Sequence, residues 1–404
     1  MDNTPAIKQK IRFIMLIAKA LHRYGASADR IENALQVISE KLKIEASYFS
    51  LPTSIMGNFK VSDDDEFTRM ERLDPGKINL EKLYYADKTV DDVIDEKISV
   101  ADGIQRLQFI IDKKPLHSDF STIISLIILA SNISLVLGGN LFDSLLAGFL
   151  GLVLGIFNSE VKIERFDTIS EALMAFTVAF TSFSFSSFYS GMHPNIIILS
   201  TLIYFVPGLS LTMAIGEISS QNLTAGTARL MGALVILLKL AFGTYLGSIL
   251  AHYFFIPQGA DFETTHELVK FMALLFISFS FVISFQARWQ ETIWIILAGT
   301  TTFYINSYVI SQLGQTAATL ITGTYIGAGS NLYARALNRP SMIASLPAII
   351  LLVPGSIGFK GLEFLFSQNT VDGINTLFNT ITIGLALVAG TYFGNLIIRP
   401  KRSL

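Results

Sequence analysis

Two patterns of apolar and polar positions divide the chain near residue 118. Before this point apolar residues recur at helical or strand spacing, and after it they form long, nearly continuous runs. Residues 5–24 carry an apolar residue at every third or fourth position, which predicts an amphipathic helix. Similar patterns predict helices over about 27–42, 78–96 and 100–113 and strands over about 46–51, 54–61 and 66–73. Residues 1–118 are therefore predicted to form a small α/β or α+β domain.

Ten apolar runs of membrane length follow this domain, and each predicts one transmembrane helix. They cover about 119–138, 141–157, 169–189, 194–215, 228–255, 268–286, 291–309, 314–334, 341–358 and 373–398. The predicted fold class is an α-helical polytopic membrane protein. It has ten transmembrane helices and a small N-terminal cytoplasmic α/β domain.

Composition supports this division. Only 15% of the 404 residues are charged, against about 25% in a soluble domain. Of the 62 charged residues, 37 lie in residues 1–118. The chain has no cysteine, which excludes disulfides, thiolate metal sites and cysteine nucleophiles. The net charge of −2 gives no sign of nucleic-acid binding, and we expect neither a cofactor nor a bound metal.

The connecting loops predict the orientation of the spans. With the N-terminal domain inside, nine basic residues fall on the cytoplasmic side: Lys162, Arg165, Arg229, Arg288, Arg335, Arg339, Arg399, Lys401 and Arg402. The opposite side receives Lys270 and Lys360. Because basic loops stay inside, we expect both termini to be cytoplasmic and the protein to lie in the cell (inner) membrane.

An internal repeat relates the two halves of the membrane part. A shift of 147 residues places residues 206–247 on 353–394 without a gap. The segments that coincide are Val-Pro-Gly at 206 and 353, Ser-Gln-Asn at 220 and 367, and Gly-Thr-Tyr at 243 and 390. We expect two five-helix repeats, 119–256 and 257–404. Because five crossings is an odd number, their topologies would be inverted, as in many secondary transporters.

Each Val-Pro-Gly lies in the fourth span of its repeat. Proline removes a helical hydrogen bond and glycine tolerates unusual backbone angles, so the pair can break a span. Backbone groups freed at membrane depth are tolerated where they line a cavity. We therefore predict a substrate site at Pro207, Gly208, Pro354 and Gly355, with a simple kink as the alternative.

Polar residues within the spans give further candidates. Lys239 lies mid-span, where it would bind a carboxylate, relay protons, pair with an acid or extend its ammonium to water at the membrane surface. Ser182 and Thr319 represent two hydroxyl-rich spans, whose hydroxyls either bind substrate or join helices. Glu217 and Glu171 are the acids best placed for proton coupling.

Two sets of residues resemble the threonine/serine exporter family. Residues 25–32 followed by 51–55 are similar to its N-terminal signature, and 206–226 and 352–373 are similar to its fourth-span and ninth-span motifs. The resemblance covers essentially the whole chain. It implies proton-driven export of threonine and serine across the cytoplasmic membrane. The family also includes members made of two separate polypeptides, some of them associated with dicarboxylate export.

The N-terminal motif residues are Gly25, Ser27, Arg30, Glu32 and Thr53. Gly25 is expected to end the first helix, Ser27 to cap the second, and Thr53 to lie in a turn. Arg30 and Glu32 are two positions apart and therefore point to different sides of their helix. No nucleotide loop, metal-ligand spacing or nucleophile motif is present in the sequence.

The sequence therefore favours a secondary active exporter of small hydroxy amino acids such as threonine and serine, and not an enzyme. A dicarboxylate exporter, a membrane-anchored enzyme that uses the N-terminal domain, and a passive channel are the alternatives. The expected partners are a small-molecule substrate and the lipid bilayer, with no nucleic acid, and a homo-oligomer stays open.

Overall fold

The computed structural model describes residues 4–62, 65–74, 76–160, 169–256, 266–352 and 354–400. The N-terminal elements are α1 (Thr4–Arg23), α2 (Ala28–Lys41), β1 (Glu45–Leu51), β2 (Ser54–Ser62), β3 (Asp65–Arg72), α3 (Leu80–Ile94) and α4 (Val100–Asp112). These bounds confirm the predicted helices and strands. The sheet has the order β1-β2-β3 and is antiparallel throughout, so the domain is α+β in the strict sense.

The first helix forms the centre of this domain. Its apolar stripe, including Ile11, Ile14 and Leu21, is buried against the sheet residues Ile55 and Phe59. Removing such side chains from water stabilises the fold by about 1.5–3 kcal/mol each. The stripe predicted from spacing is therefore the core face of the helix.

The remaining chain is helical. Its elements are α5 (Asp119–Val136), α6 (Leu141–Glu160), α7 (Ser170–Ser186), α8 (Pro194–Leu202), α9 (Gly208–Ser219), α10 (Leu223–Phe254), α11 (Glu267–Ser284), α12 (Thr292–Leu313), α13 (Gln315–Leu337), α14 (Met342–Leu352), α15 (Gly355–Phe366) and α16 (Thr370–Ile397). A short 3-10 turn, Trp289–Glu291, precedes α12.

Seven stretches of the described residues are long and apolar enough to cross a membrane. They are α5, α6, α10, α11, the 3-10 turn with α12, α14 with α15, and α16. The other predicted spans coincide with α7, which has 17 residues, with the interrupted α8 and α9, and with the threonine- and glycine-rich α13. Length and composition therefore mark out seven spans, fewer than the ten predicted.

Two helix pairs pack closely through glycines. Gly243 and Gly247 of α10 lie against the backbone of α7, where an added Cβ would come within 2.1 Å of the Ala172 carbonyl oxygen. Gly390 of α16 lies against α13, where an added Cβ would come within 2.3 Å of the Leu320 carbonyl oxygen. Small residues allow such close approach between membrane helices. The two pairs, α7 with α10 and α13 with α16, therefore share one mode of packing.

The N-terminal domain is bonded to the turn between α11 and the 3-10 segment. The Leu80 N–H donates to the Phe285 carbonyl at 2.9 Å, and the His117 N–H donates to the Gln286 side chain at 2.8 Å. The Arg288 guanidinium lies 3.4 Å from the centre of the Tyr84 ring, a cation–π contact. This turn of the membrane part thus forms one docking point for the domain.

Candidate functional site

Both Pro-Gly segments mark the start of a new helix. Pro207 precedes α9 and Pro354 precedes α15, each at the helix N-cap position. The helix before each proline ends earlier, α8 at Leu202 and α14 at Leu352. The predicted breaks are therefore present at both positions, although Val353 lies outside the described residues.

The two breaks meet in space. A Cβ added to Gly355 would lie 2.6 Å from the Gly208 Cα and 2.8 Å from a side-chain methyl of Val206. Both glycines are buried. The four residues predicted as a substrate site therefore lie close together in the fold. The backbones approach so closely at the two glycines that no side chain would fit between them.

Convergence of two helix starts has an electrostatic consequence. The first N–H groups of a helix have no partner within it, and its N-terminus carries roughly half a positive charge. The starts of α9 and α15 lie side by side at Gly208 and Gly355, so their partial charges repel each other. An anion that accepts the free N–H groups of both helices would relieve the repulsion, and it would require the two glycines to move apart, because not even a methyl group fits between them here.

A crevice adjoins the first break. It is too narrow to hold a water molecule, and it is lined by Leu126, Leu129, Ala130, Gly151, Leu154, Ser200, Thr201, Tyr204 and Phe205. The buried Thr201 hydroxyl has no hydrogen-bond partner among the described residues. Such a group is costly to leave unpaired, and it offers a donor and an acceptor beside the break.

Lys239 and Glu171 lie together as an ion pair. The ammonium of Lys239 on α10 is 3.4 Å from the Glu171 carboxylate on α7, and both side chains are mostly buried. From the sequence, Lys239 is a candidate for substrate binding and Glu171 is a candidate for proton coupling. Of the alternatives for Lys239, the geometry corresponds to pairing with an acid.

Ser182 and Thr319 are buried in α7 and α13. The Ser182 hydroxyl donates to the Val178 carbonyl at 2.7 Å, and the Thr319 hydroxyl donates to the Gln315 carbonyl at 2.9 Å. Each hydroxyl is thus bonded one turn back along its own helix. Their predicted role in substrate binding stays a prediction.

Glu217 connects the membrane part to the N-terminal domain. This buried carboxylate on α9 accepts two hydrogen bonds from Arg229, at 2.9 and 2.8 Å, and the N–H of Ala28 at 2.9 Å. Ala28 is the first residue of α2, so Glu217 satisfies one free donor of that helix. Its predicted part in proton coupling stays a prediction.

The N-terminal motif lies at this junction. Ser27 occupies the N-cap position, but its side chain makes no capping bond, and the acceptor is supplied by Glu217 instead. Glu32 accepts the Ser50 N–H at 2.7 Å and the Asn222 amide at 3.2 Å. The carboxylate of Glu32 therefore bridges α2, β1 and the turn before α10.

The other motif residues shape the backbone nearby. Gly25 ends α1 with a positive φ of 86°, as expected for glycine after a helix. Thr53 lies in the tight turn between β1 and β2, where its carbonyl accepts the Leu73 N–H at 2.9 Å. Arg30 is half-buried on α2.

Two buried acid–base clusters were missed from the sequence. Asp143 at the start of α6 accepts Nδ1–H of His193 at 2.7 Å. Glu291 before α12 accepts Arg339 and the Tyr333 hydroxyl, each at 2.6 Å, and also bonds Arg288. The signal available in the sequence was their spacing, since Glu291 follows Asp143 by 148 residues and Arg339 follows His193 by 146.

Two family models match this chain. The ThrE threonine/serine exporter model matches residues 12–251. A second model, described as Threonine/Serine exporter, ThrE, matches residues 270–397. No solved structure matches the chain.

Several relatives are named Pheromone-regulated membrane protein 10, among them the following three. The protein from Eremothecium gossypii is 27% identical over 395 residues, which cover 92% of this chain and 52% of the relative. That from Candida albicans SC5314 is 28% identical over 388 residues, 91% of this chain and 34% of the relative. The protein from Saccharomyces cerevisiae YJM789 is 25% identical over 393 residues, which cover 93% of this chain and 50% of the relative. The chain thus spans about half or less of these relatives' length, and it belongs to the ThrE threonine/serine exporter family.

Proposed function

We propose that this protein is a secondary active exporter of threonine and serine across the cytoplasmic membrane, driven by the proton gradient. Its family is a class of transporter and not of enzyme. The observation that carries the proposal is the contact between Gly208 and Gly355. Two broken helices from different halves of the chain meet there, and small movements of either helix would open the site to one side or the other.

The proposal includes ten spans arranged as two inverted repeats, 119–256 and 257–404, behind the domain 1–118. The turns after α9 and α15 support it, because Gln221 and Gln368 lie 147 residues apart and both adopt a positive φ, 68° and 62°. The glycine contacts of α10 with α7 and of α16 with α13 give a second correspondence. Counting α8 with α9 and α14 with α15 as single interrupted spans yields ten.

We place the protein in the cell membrane with both termini in the cytoplasm. The support is the distribution of basic residues among the loops. Of the nine assigned to the cytoplasmic side, Lys162, Arg165, Lys401 and Arg402 lie outside the described residues. The other five are Arg229, Arg288, Arg335, Arg339 and Arg399.

A zwitterion suits the site better than a dianion. The paired starts of α9 and α15 offer one place for a carboxylate, next to Pro207 and Pro354. Lys239 is already paired with Glu171, so this lysine adds no second cation for a dicarboxylate. Half-buried Ser210 and Ser356 lie in the first turns of α9 and α15, and their hydroxyls can bond a substrate hydroxyl.

Efflux from preloaded proteoliposomes tests this function. Vesicles containing the purified full chain are loaded with labelled serine, threonine or succinate, and efflux is measured with and without an imposed pH gradient. We expect serine and threonine to leave at least tenfold faster than from protein-free vesicles, and faster still when protons can move in the opposite direction. Preferential release of succinate would favour the dicarboxylate alternative, and equal release of all three would indicate a channel.

A further inference from the structure

Both interrupted spans are connected to the N-terminal domain at one end. In the proposed topology α9 and α14 are the halves of these spans that lie toward the cytoplasm, and we call them the inner half-helices. Glu217, near the end of α9, accepts the first N–H of α2 at 2.9 Å. Arg339, three residues before α14, bonds Glu291 at 2.6 Å. Glu291 also bonds Arg288, whose guanidinium lies over the Tyr84 ring of the domain.

An apolar cluster joins the inner half-helices to the domain. Ile343 and Leu346 of α14 are buried in it, and Leu209 of α9 packs against it. The same cluster contains Ile11 and Phe13 of α1, the central helix of the N-terminal domain. Exposing apolar surface to water is unfavourable. The domain therefore stabilises the arrangement in which α9 and α14 lie close together.

The attachment to the second half is built on the backbone. The first N–H groups of α3, at Leu80 and Glu81, donate to the Phe285 and Gln286 carbonyls at 2.9 and 3.0 Å. His117 and the Gln286 side chain exchange two further bonds, at 2.8 and 3.2 Å. His117 is two residues before α5, which itself packs on α11. Because main-chain bonds are not lost when side chains rearrange, this attachment keeps the domain on the second half.

The attachment to the first half depends on two carboxylate side chains. Glu217 accepts the first N–H of α2, and Glu32 of α2 accepts the Asn222 amide at 3.2 Å, in the turn that follows α9. Glu217 is also bonded to Arg229 of its own half. Glu32 is also bonded to the Ser50 N–H of its own domain. Each carboxylate therefore keeps a partner when the two surfaces part, and this is the junction that can open.

We propose that the N-terminal domain is a clamp across the inner half-helices, which holds the cytoplasmic side of the transporter closed; this rests on the proposed function. The domain stays attached to the second half. When α2 releases Glu217 and Asn222, α9 can move away from α14, and the contact between Gly208 and Gly355 opens toward the cytoplasm. An exported amino acid enters from that side. Release of α9 by the domain is therefore a step of every transport cycle.

A thiol reporter tests the clamp without any substrate. The chain has no native cysteine, so Ala344→Cys places one thiol on α14 in the buried apolar cluster. Its labelling by an impermeant maleimide is measured in inside-out vesicles, alone and combined with Asn222→Asp. This change replaces an amide donor by a carboxylate of the same size facing Glu32, and the two carboxylates repel each other. We expect at least threefold faster labelling with Asn222→Asp, and an unchanged rate would overturn the proposal.

Two controls separate release of the clamp from general loosening. Asn58→Asp makes the same exchange beside Glu66, whose carboxylate accepts the Asn58 amide at 3.3 Å within the sheet of the domain. It should leave labelling of the α14 thiol unchanged. Thr380→Cys moves the reporter to α16 beside Gly358 of α15, toward the external face in the proposed topology, and Asn222→Asp should not accelerate its labelling from outside. Equal acceleration in either control would indicate loosening of the whole fold and would contradict a clamp.

Cross-linking tests the clamp during transport. Glu32→Cys with Asn222→Cys joins α2 to the turn after α9 through a short, cleavable bismaleimide, and Asn58→Cys with Glu66→Cys gives the matched cross-link within the domain. We expect the first cross-link to lower serine efflux at least tenfold until the linker is cleaved, and the second to have no effect. Unchanged efflux after the first cross-link would refute the clamp.

The two tests also separate this proposal from the proposed function. If the wild-type protein moves none of the amino acids, the proposed function has failed, and thiol labelling still decides whether the domain closes the inner half-helices. Labelling decides equally if the variant with both cysteines is inactive before it is cross-linked.

Discussion

Gly355 has no room for a side chain, so a substitution at this position tests directly whether the contact between α9 and α15 is needed for transport. A Cβ there would lie 2.6 Å from the Gly208 Cα, so even Gly355→Ala must push α9 and α15 apart. We expect at least a tenfold loss of serine efflux for Gly355→Ala, and complete loss for Gly355→Leu and Gly208→Leu. Membrane insertion should be normal in all three.

Gly232→Ala is the matched control for this series, because nothing lies within 4 Å of a Cβ added at Gly232. Its efflux should equal that of the wild-type protein. Normal efflux from both leucine variants would place substrate binding elsewhere in the molecule.

Lys239 and Glu171 should behave as a structural pair. Each single alanine substitution leaves one mostly buried charge without its partner, which costs about 1–3 kcal/mol, so we expect a lower melting temperature for Lys239→Ala and for Glu171→Ala. The double variant should recover part of the loss. Additive losses in a double-mutant cycle would contradict pairing, and a specific loss of substrate affinity in Lys239→Ala would restore its substrate role.

His22 makes stability depend on pH. Its Nε2–H donates to the Leu51 and Pro52 carbonyls at 3.1 and 3.0 Å. Burial lowers the pKa of His22 below its ordinary 6.5, the two carbonyl bonds oppose this, and Arg229 and Arg23 lower it further. The unfolded chain therefore takes up the proton more readily than the folded one.

The sign follows from this difference in proton binding. His22 costs no stability at neutral pH, and stability is lost as the pH falls from about 6.5 through the lowered folded-state pKa, by at most about 1.4 kcal/mol per pH unit. Thermal unfolding of the full chain between pH 7.5 and 5 should show a shallower slope for His22→Asn than for the wild-type protein. Identical slopes would assign the pH dependence to other groups.

Among elements, the start of α2 is capped by a residue of another domain. Glu217 accepts the Ala28 N–H and holds Arg229, so Glu217→Ala should loosen the attachment of the N-terminal domain. We expect hydrogen exchange at the Ala28 amide to accelerate at least tenfold. Glu171→Ala removes a comparable carboxylate without touching α2, and it should leave that amide protected. Unchanged exchange in Glu217→Ala would mean that other contacts hold the junction.

Sequence reasoning succeeded for elements and failed for their partners. The bounds of α1 to α4 follow from apolar spacing, and the breaks at Pro207 and Pro354 follow from the chemistry of proline and glycine. Sequence analysis predicts that Ser27 caps α2, because capping rules consider only neighbouring residues. The acceptor of the Ala28 N–H is instead Glu217, which lies 189 residues away in the sequence. Asp143 and His193 were missed for the same reason, since each looks ordinary until the fold brings them together.

For the whole molecule, the side of the membrane on which each loop lies tests whether the two halves are inverted relative to each other. Gln312 lies exposed near the end of α12, and Lys88 lies exposed on α3 of the N-terminal domain. With ten spans, Gln312→Cys should react with an impermeant thiol reagent from outside intact cells, and Lys88→Cys only after the membrane is opened. Labelling of Gln312→Cys from the cytoplasmic side alone would contradict the inverted arrangement.

The glycine contacts of α10 and α16 also bear on how the chain enters the bilayer during synthesis. Helix α7 has only 17 residues and α13 is rich in threonine and glycine, so neither is among the stretches marked out as spans by length and composition, yet each lies against a glycine-lined surface of a longer helix made later. Each is therefore completed before its stabilising partner exists. We therefore expect α7 to be retained in the bilayer more firmly once α10 has been made, and α13 once α16 has been made. Biogenesis of each half is accordingly cooperative, with its last helix retaining a weaker one that has already been synthesised.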